Sequence, residues 1–315
     1  MARYRDAIVW LLIAATPFVF PGRQALINEI AIIALFALSL DLLLGYAGIV
    51  SLGHAAFFGV GGYVAALLTK YGWTEPVSGL LIAAAAAAIV GFASAFLVLR
   101  GTDLTRLMVT MGVALLLLEL ANRFTSITGG ADGFQGMEKG DVLGLFRFDL
   151  AGRTACLYSL ATLFALFLLA RLITRSPFGL SLLAIKQNRL RATSVGVPAE
   201  RRLVAIYTVA AAYAGIAGAL LTQTTQFVSL DWLEFHRSAD VLLVLVIGGA
   251  GYLYGGLIGA AIFKLMQDWL SGITPQYWQF WIGLLLVLLV LIGQDRLVAG
   301  PRAAWSWLRR RLTPA

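Results

Sequence analysis

Apolar residues run along this chain in stretches close to the roughly 20 residues that an α-helix needs to cross a bilayer. The pattern predicts spans over about 7–21, 25–44, 53–70, 78–99, 104–124, 154–173, 203–223 and 277–293. Residues 238–271 are also apolar, but Gly248-Gly249-Ala250-Gly251 and Gly255-Gly256 interrupt them, which predicts two short spans at about 239–250 and 256–271. The expected fold is an all-α polytopic membrane protein with about ten transmembrane helices, or eight to nine if a glycine-broken segment is re-entrant. Polar segments at 125–153 and 224–237 and a basic segment at 175–202 separate the spans. The first apolar run follows Arg3 and Arg5 as in a signal peptide. Its far end, Pro17-Phe-Val-Phe-Pro21, has no small-residue cleavage site, so the run is expected to remain as a span.

One stretch does not read as a plain lipid-facing helix. Gly45-Tyr-Ala-Gly-Ile-Val-Ser-Leu-Gly-His-Ala-Ala-Phe-Phe-Gly-Val-Gly-Gly-Tyr63 is interrupted by six glycines and carries Ser51 and His54 at its centre. Glycine weakens a helix and lets backbones approach closely. Irregular backbone at membrane depth is tolerated only against protein or a water-filled cavity. The glycine clusters at 45–62 and 248–259 each follow an inward-going span and precede an outward-going one, which either is a weak repeat of the kind that points to a substrate path or is chance similarity between glycine-rich membrane segments.

Composition agrees with the membrane reading. Of 315 residues, 60% are hydrophobic and 13% charged, against about 25% charged in a soluble domain. The formal net charge of +8 reads as bias of the cytosolic loops rather than as nucleic-acid binding. Arg3 and Arg5, the 175–202 segment and the tail from Asp295 are all basic, which places both termini and that segment in the cytosol. No linker divides the chain, so 1–315 is expected to be one transmembrane domain, with a cytosolic tail at about 295–315. With one cysteine and two histidines, a disulfide, a cysteine cluster or a histidine metal site is not expected.

Ser51 and His54, three residues apart, share a face if the backbone there is helical. They either line a path or subunit interface, or hold a broken helix together. No acid or nucleophile motif accompanies them, so a catalytic role is not expected. Asp41, Glu29 and Glu119 lie within apolar runs and fit either an ion relay or structural pairing near span ends. The segment from Ser176 to Pro198 opens on Pro177 and Gly179 and closes on Gly196 and Pro198, which predicts a short helix with an apolar and a basic face. Such a helix either rests on anionic lipid or docks on a cytosolic partner. No phosphate loop of the Gly-x-x-x-x-Gly-Lys-Ser/Thr type occurs, so any ATP is used by another chain.

Five ordered blocks resemble the permease subunits of branched-chain amino-acid ABC transporters, LivM-like in particular. They are Gly45–Tyr63, Thr128-Gly-Gly-Ala-Asp-Gly133, Arg175-Ser-Pro-Phe-Gly179 with Ala184-Ile185, Ala214-Gly-Ile-Ala-Gly-Ala219 and Ile247–Ala260. The resemblance covers roughly 40–295. It implies a non-enzymatic permease in a bacterial inner membrane that passes branched-chain or related amino acids, amides or urea. It also implies a second permease subunit, two cytosolic ATPases carrying the ATP, and an external solute-binding protein. On this resemblance Gly48, Ser51, Gly53, His54, Phe57, Gly248, Gly249 and Gly251 are candidates for the path or subunit interface. Leu182, Ile185, Lys186, Asn188 and Gly196 are candidates for ATPase coupling on a helix at 180–196. The chain departs from the family pattern in having no acidic residue after Ala184-Ile185, and in carrying Tyr254 and Gly256 where small residues and proline are usual. Two other readings stay open: an ion-coupled secondary transporter or channel using Asp41, Glu29 or Glu119, and a sugar-type ABC permease.

Overall fold

The computed structural model describes residues 2–101, 103–137, 140–142, 144, 146–149, 151–273, 275–277, 279–284 and 287. Most of the predicted span at 277–293, and the whole tail from Asp295, lie outside the described residues. The described residues fall into two compact units, one within 1–261 and one from 262 onward.

The long apolar runs become helices: α1 Ala2–Val19, α2 Gln24–Asp41, α3 Ala55–Lys70, α4 Pro76–Val98 and α5 Asp103–Arg123. A helical turn, α6 Thr125–Thr128, leads into a strand, β1 Phe134–Gln135. Then come α7 Arg153–Arg175, α8 Pro177–Gln187, α9 Arg189–Ser194 and α10 Ala199–Thr225. Strand β2 Phe227–Val228, α11 Phe235–Gly248 and α12 Leu253–Ile273 follow. Strand β1 pairs antiparallel with β2, Phe134 opposite Val228, tying the polar segment after α6 to the exit of α10.

Among the described residues, five helices are long and apolar enough to cross a membrane: α2 with its extension to Ala47, α4, α5, α7 and α10. Val9–Val19 of α1 and α3 are apolar but shorter. The two short spans expected around 239–271 are α11 and α12, which meet at a bend of 112°. Local chemistry sets several ends. Glu75 precedes α4, and its carboxylate accepts the Val77 and Ser78 amides at 3.1 and 2.6 Å, with Pro76 in the first turn.

The core lies where α2, α3, α4 and α10 pack together. The buried residues of α10 are mostly small: Ala210, Ala211, Ala214, Gly215, Ala217, Gly218 and Ala219. Small residues let helix backbones approach, which supplies van der Waals packing where lipid removes the hydrophobic drive between helices. The Tyr213 hydroxyl donates to Leu166 O at 3.0 Å, joining α10 to α7. By contrast α5 is exposed along most of its length, with Leu104, Met108, Leu115 and Leu116 all uncovered.

Candidate translocation site

The glycine-broken stretch is an interruption between two helices. α2 does not stop at Asp41 but widens into a π-helical turn over Leu42–Ala47. Gly48 ends it at φ +71°, a left-handed conformation that glycine adopts without strain. Residues 49–54 carry no regular helix, and α3 starts at Ala55. Its first amide is satisfied from another element: Ala55 N–H donates to Ser238 Oγ of α11 at 2.8 Å. A helix start inside apolar surroundings needs such a partner.

His54 is fully buried at this junction. Its Nε2 lies 2.8 Å from Ser39 Oγ of α2. The Ser39 hydroxyl donates to Phe36 O at 2.5 Å. A hydroxyl has one proton to give, so Nε2–H of His54 is the donor to Ser39. The ring therefore carries a proton on Nε2. It stacks on Phe36, ring centroids 5.7 Å apart, and meets Phe57 edge-on. Ser51 and Phe57 are buried as well. The bond to Ser39 ties the interruption back to α2. Ser51, His54 and Phe57 present no surface to a path or a partner in the isolated chain. Gly53 abuts α5, where a methyl group would overlap Thr110 O, and the Leu52 amide donates to Thr110 Oγ1 at 3.3 Å.

The second glycine cluster meets the first. Gly248 packs against Gly255 at the α11–α12 bend. Gly249 and Gly251 have φ +92° and +85°. A Cβ on Gly45 would fall 2.8 Å from Gly251 Cα, so the two breaks touch. Periodicity pointed to each cluster separately; that they share one contact is visible only in three dimensions.

A group of charged residues lies in the polar segment between α10 and α11 and at the start of α11. Trp232 packs where a Gly62 side chain would be, and Leu233 does so at Gly59. Residues 230–238 thus run beside the middle of α3, about 12–16 Å from its Lys70 end at 1.5 Å per residue. They carry Asp231, Glu234, His236 and Arg237. Arg237 pairs with Asp231 at 3.0 Å, and His236 lies 3.1 Å from Glu234 and 3.4 Å from Asp231. The side chains of Asp231, Glu234 and His236 are about half exposed. The chain after β2 thus folds back along α3. The ligand atoms of Asp231, Glu234 and His236 lie within 4.8 Å of one another, the described residues best placed to hold a cation. Both carboxylates are already engaged by Arg237 and His236.

The segment expected to form a helix over 180–196 differs in its local structure. The helix expected over 180–196 is two helices, broken at Asn188 in an extended conformation. Asn188 is the cap of the second: its Oδ1 accepts the Arg191 amide at 2.9 Å. Gly196, at φ +91°, follows the end of α9. Leu182 and Ile185 are buried, on a helix that packs on α7, α10 and the π-helical turn. They hold α8 to the rest of its own chain. Lys186 reaches inward, donating from Nζ to Gly45 O at 2.7 Å. The most uncovered apolar residues of the segment are Leu190, 81% exposed, and Val195, 80% exposed, with Leu180 of α8 exposed as well. The helical period alone does not separate these two sets, since both recur at spacings of three to five.

Asp41, Glu29 and Glu119 do not converge. Asp41 is fully buried at the end of α2. Glu29 is twelve residues away on the same helix, about 18 Å, and Glu119 is exposed on α5.

Comparison with known proteins agrees with this architecture. Residues 23–291 match the family described as branched-chain amino acid transport system / permease component. The high-affinity branched-chain amino acid transport system permease protein LivM of Escherichia coli is 30% identical over 89% of this chain and 71% of its own. LivH of Escherichia coli is 20% identical over 82% of this chain and 88% of its own. The ribose import permease protein RbsC of Bacillus subtilis is 29% identical, over 40% of this chain and 41% of its own. No solved structure matches the chain. With membrane-length helices, glycine-broken spans and a family match across most of its length, the chain is a multi-pass membrane protein and belongs to the branched-chain amino acid transport system permease family.

Proposed function

We propose that this chain is one permease of an ATP-driven importer for branched-chain amino acids or small relatives such as amides or urea. The similarity to LivM along 89% of the chain carries this reading. The likeness to a ribose permease reaches 40% of it, which favours the amino-acid class over sugars. A second permease, two ATPases in the cytosol and an external solute-binding protein complete the machine, and ATP is used on the partner chains. The membrane is the bacterial inner membrane. The basic 175–202 segment supports a cytosolic position for the α8–α9 connection and for both termini.

In that orientation the Lys70 end of α3 and the β1–β2 pair face outward. The half-exposed charges at Asp231, Glu234 and His236 then stand at membrane depth. Charges there face protein or water rather than lipid, which suits a face turned to the path or to the second permease. On the cytosolic side, α9 offers Leu190 and Val195, flanked by Arg189 and Arg191, to a groove on an ATPase. Leu190→Asp and Val195→Asp are each expected to cut ATPase co-purification by about 10-fold or more without lowering the amount of permease in the membrane. Full retention of the ATPase by both variants would refute this docking surface.

The reading itself is tested with the reconstituted complex and radiolabelled L-leucine. Uptake should require ATP and the binding protein, and calorimetry should show the binding protein taking L-leucine and not ribose. Uptake that persists without ATP and collapses with the proton gradient would establish an ion-coupled carrier instead. Ribose binding would move the system to the sugar class.

A further inference from the structure

Four elements converge on Asp41. It is fully buried at the end of α2. Its Oδ1 accepts the Gly251 amide, at the α11–α12 bend, at 2.6 Å. Its Oδ2 has no hydrogen-bond partner among the described residues. Lys186 of α8 acts on it by charge, and donates to Gly45 O in the π-helical turn four residues later. Space at this point is fully used: a methyl group at Gly45 would overlap both Asp41 Oδ1 and Gly251 N, and one at Gly48 would lie 2.9 Å from Lys186 Cγ.

The bend is held from its other side as well. The Tyr254 hydroxyl, at the start of α12, donates to Asp6 Oδ1 of α1 at 3.0 Å, and Arg171 of α7 pairs with the same carboxylate. Residues 249–254 are therefore tied at one edge to α1 and α7, and at the other to α2 and the π-helical turn. Upstream of the bend, α11 runs back to Ser238, the acceptor for the first amide of α3 beside His54. A continuous set of contacts leads from Lys186 of α8, through Gly45 with Asp41 and Gly251, along α11 to the start of α3.

We propose that Asp41 is a positioning residue for transport: with Lys186 and Gly251 it forms the joint that passes movement of the α8–α9 connection to the α11–α12 bend, and so to the start of α3. This rests on the ATP-driven importer reading. A static bend does not need a charge, because an apolar or amide contact would hold it without burying a carboxylate. Asp41 holds the Gly251 amide, and Lys186 holds the Gly45 carbonyl packed between them, so movement of the lysine bears on the turn that the carboxylate ties to the bend. Coupling between distant sites requires such an element with two arrangements.

The test uses the whole complex in proteoliposomes, with radiolabelled L-leucine and parallel measurement of ATP hydrolysis. Asp41→Asn keeps the shape and removes the charge, and Lys186→Met keeps most of the length and removes the charge. Each single variant should assemble and hydrolyse ATP, while leucine moved per ATP falls about 10-fold. The double variant should fall no further than the worse single, because both act through one joint. A wild-type ratio in either assembled single variant, or losses that multiply in the double, would overturn the inference. Should Asp41→Asn fail to assemble, Lys186→Met decides alone, since its side chain sits at the surface of the subunit: a wild-type ratio there overturns the joint, and a 10-fold loss upholds it. Wild-type uptake that does not need ATP would remove the importer reading, and this inference with it. ATP-dependent wild-type uptake with undiminished variants would remove the inference alone.

Discussion

Gly61→Val is expected to leave almost no folded permease in the membrane. α3 and α10 are in backbone contact at two points: a methyl group at Gly61 would overlap Gly215 O, and one at Gly218 would overlap Phe58 O. Backbone cannot step aside as the end of a flexible side chain can. Overpacking a close-packed contact costs about 1–3 kcal/mol even when the neighbours can shift. Here three added carbons meet the main chain of the most central helix, so the loss should exceed about 4 kcal/mol, in the range of exceptional single substitutions. Membrane abundance and thermal unfolding in detergent give the readout, with Gly61→Ala as the milder step. Gly112→Ala on α5 is the control. Nothing lies within 4 Å of the added carbon there, so it should be neutral or stabilising by up to about 1 kcal/mol through helix propensity. Normal abundance and melting of both Gly61 variants would show that the α3–α10 contact is not as close as described.

The second large effect is expected at His54. His54→Ala removes a buried ring, its stacking on Phe36, its edge contact with Phe57 and its hydrogen bond to Ser39. Truncating a buried aromatic-sized side chain costs about 3–5 kcal/mol through lost contacts and a residual cavity. The Ser39 oxygen also loses its donor, although its own proton still reaches Phe36 O. The expected outcome is a lower melting temperature and less assembled transporter. The apparent KM for L-leucine in the surviving protein should stay unchanged, because no part of the ring is exposed. A pronounced rise in KM at unaltered melting temperature would contradict this and put His54 in contact with substrate. Ser39→Ala should cost less and be largely masked in the His54→Ala background, as residues sharing one bond are not additive.

Most of the architecture is legible along the chain. Apolar runs of membrane length mark α2, α4, α5, α7 and α10 within a few residues, because in lipid a backbone must satisfy its own hydrogen bonds and a long apolar run has only the helix to adopt. Glycine and proline clusters mark the breaks for a related reason, since they are where a helix is cheapest to interrupt. The missed features share a cause. Asn188 reads as one polar residue on an amphipathic helix, yet it caps a second helix. Leu182, Ile185, Leu190 and Val195 all fit an apolar stripe, and which of them faces its own subunit depends on where α7, α10 and the π-helical turn stand.

The glycine-broken stretch shows where the two kinds of information separate. That Gly45–Tyr63 leaves the helical path, carries a polar pair and belongs to a transport family follows from residue type and order, which govern local backbone preference and family pattern. That Asp41 meets Gly251, that Lys186 turns inward to Gly45, that Ser238 starts α3 and that His54 bonds Ser39 depends on contacts between residues from 15 to 210 positions apart. No local preference encodes such pairs. They arise once the close packing of α3 on α10 and the bend after α11 bring the chain back on itself.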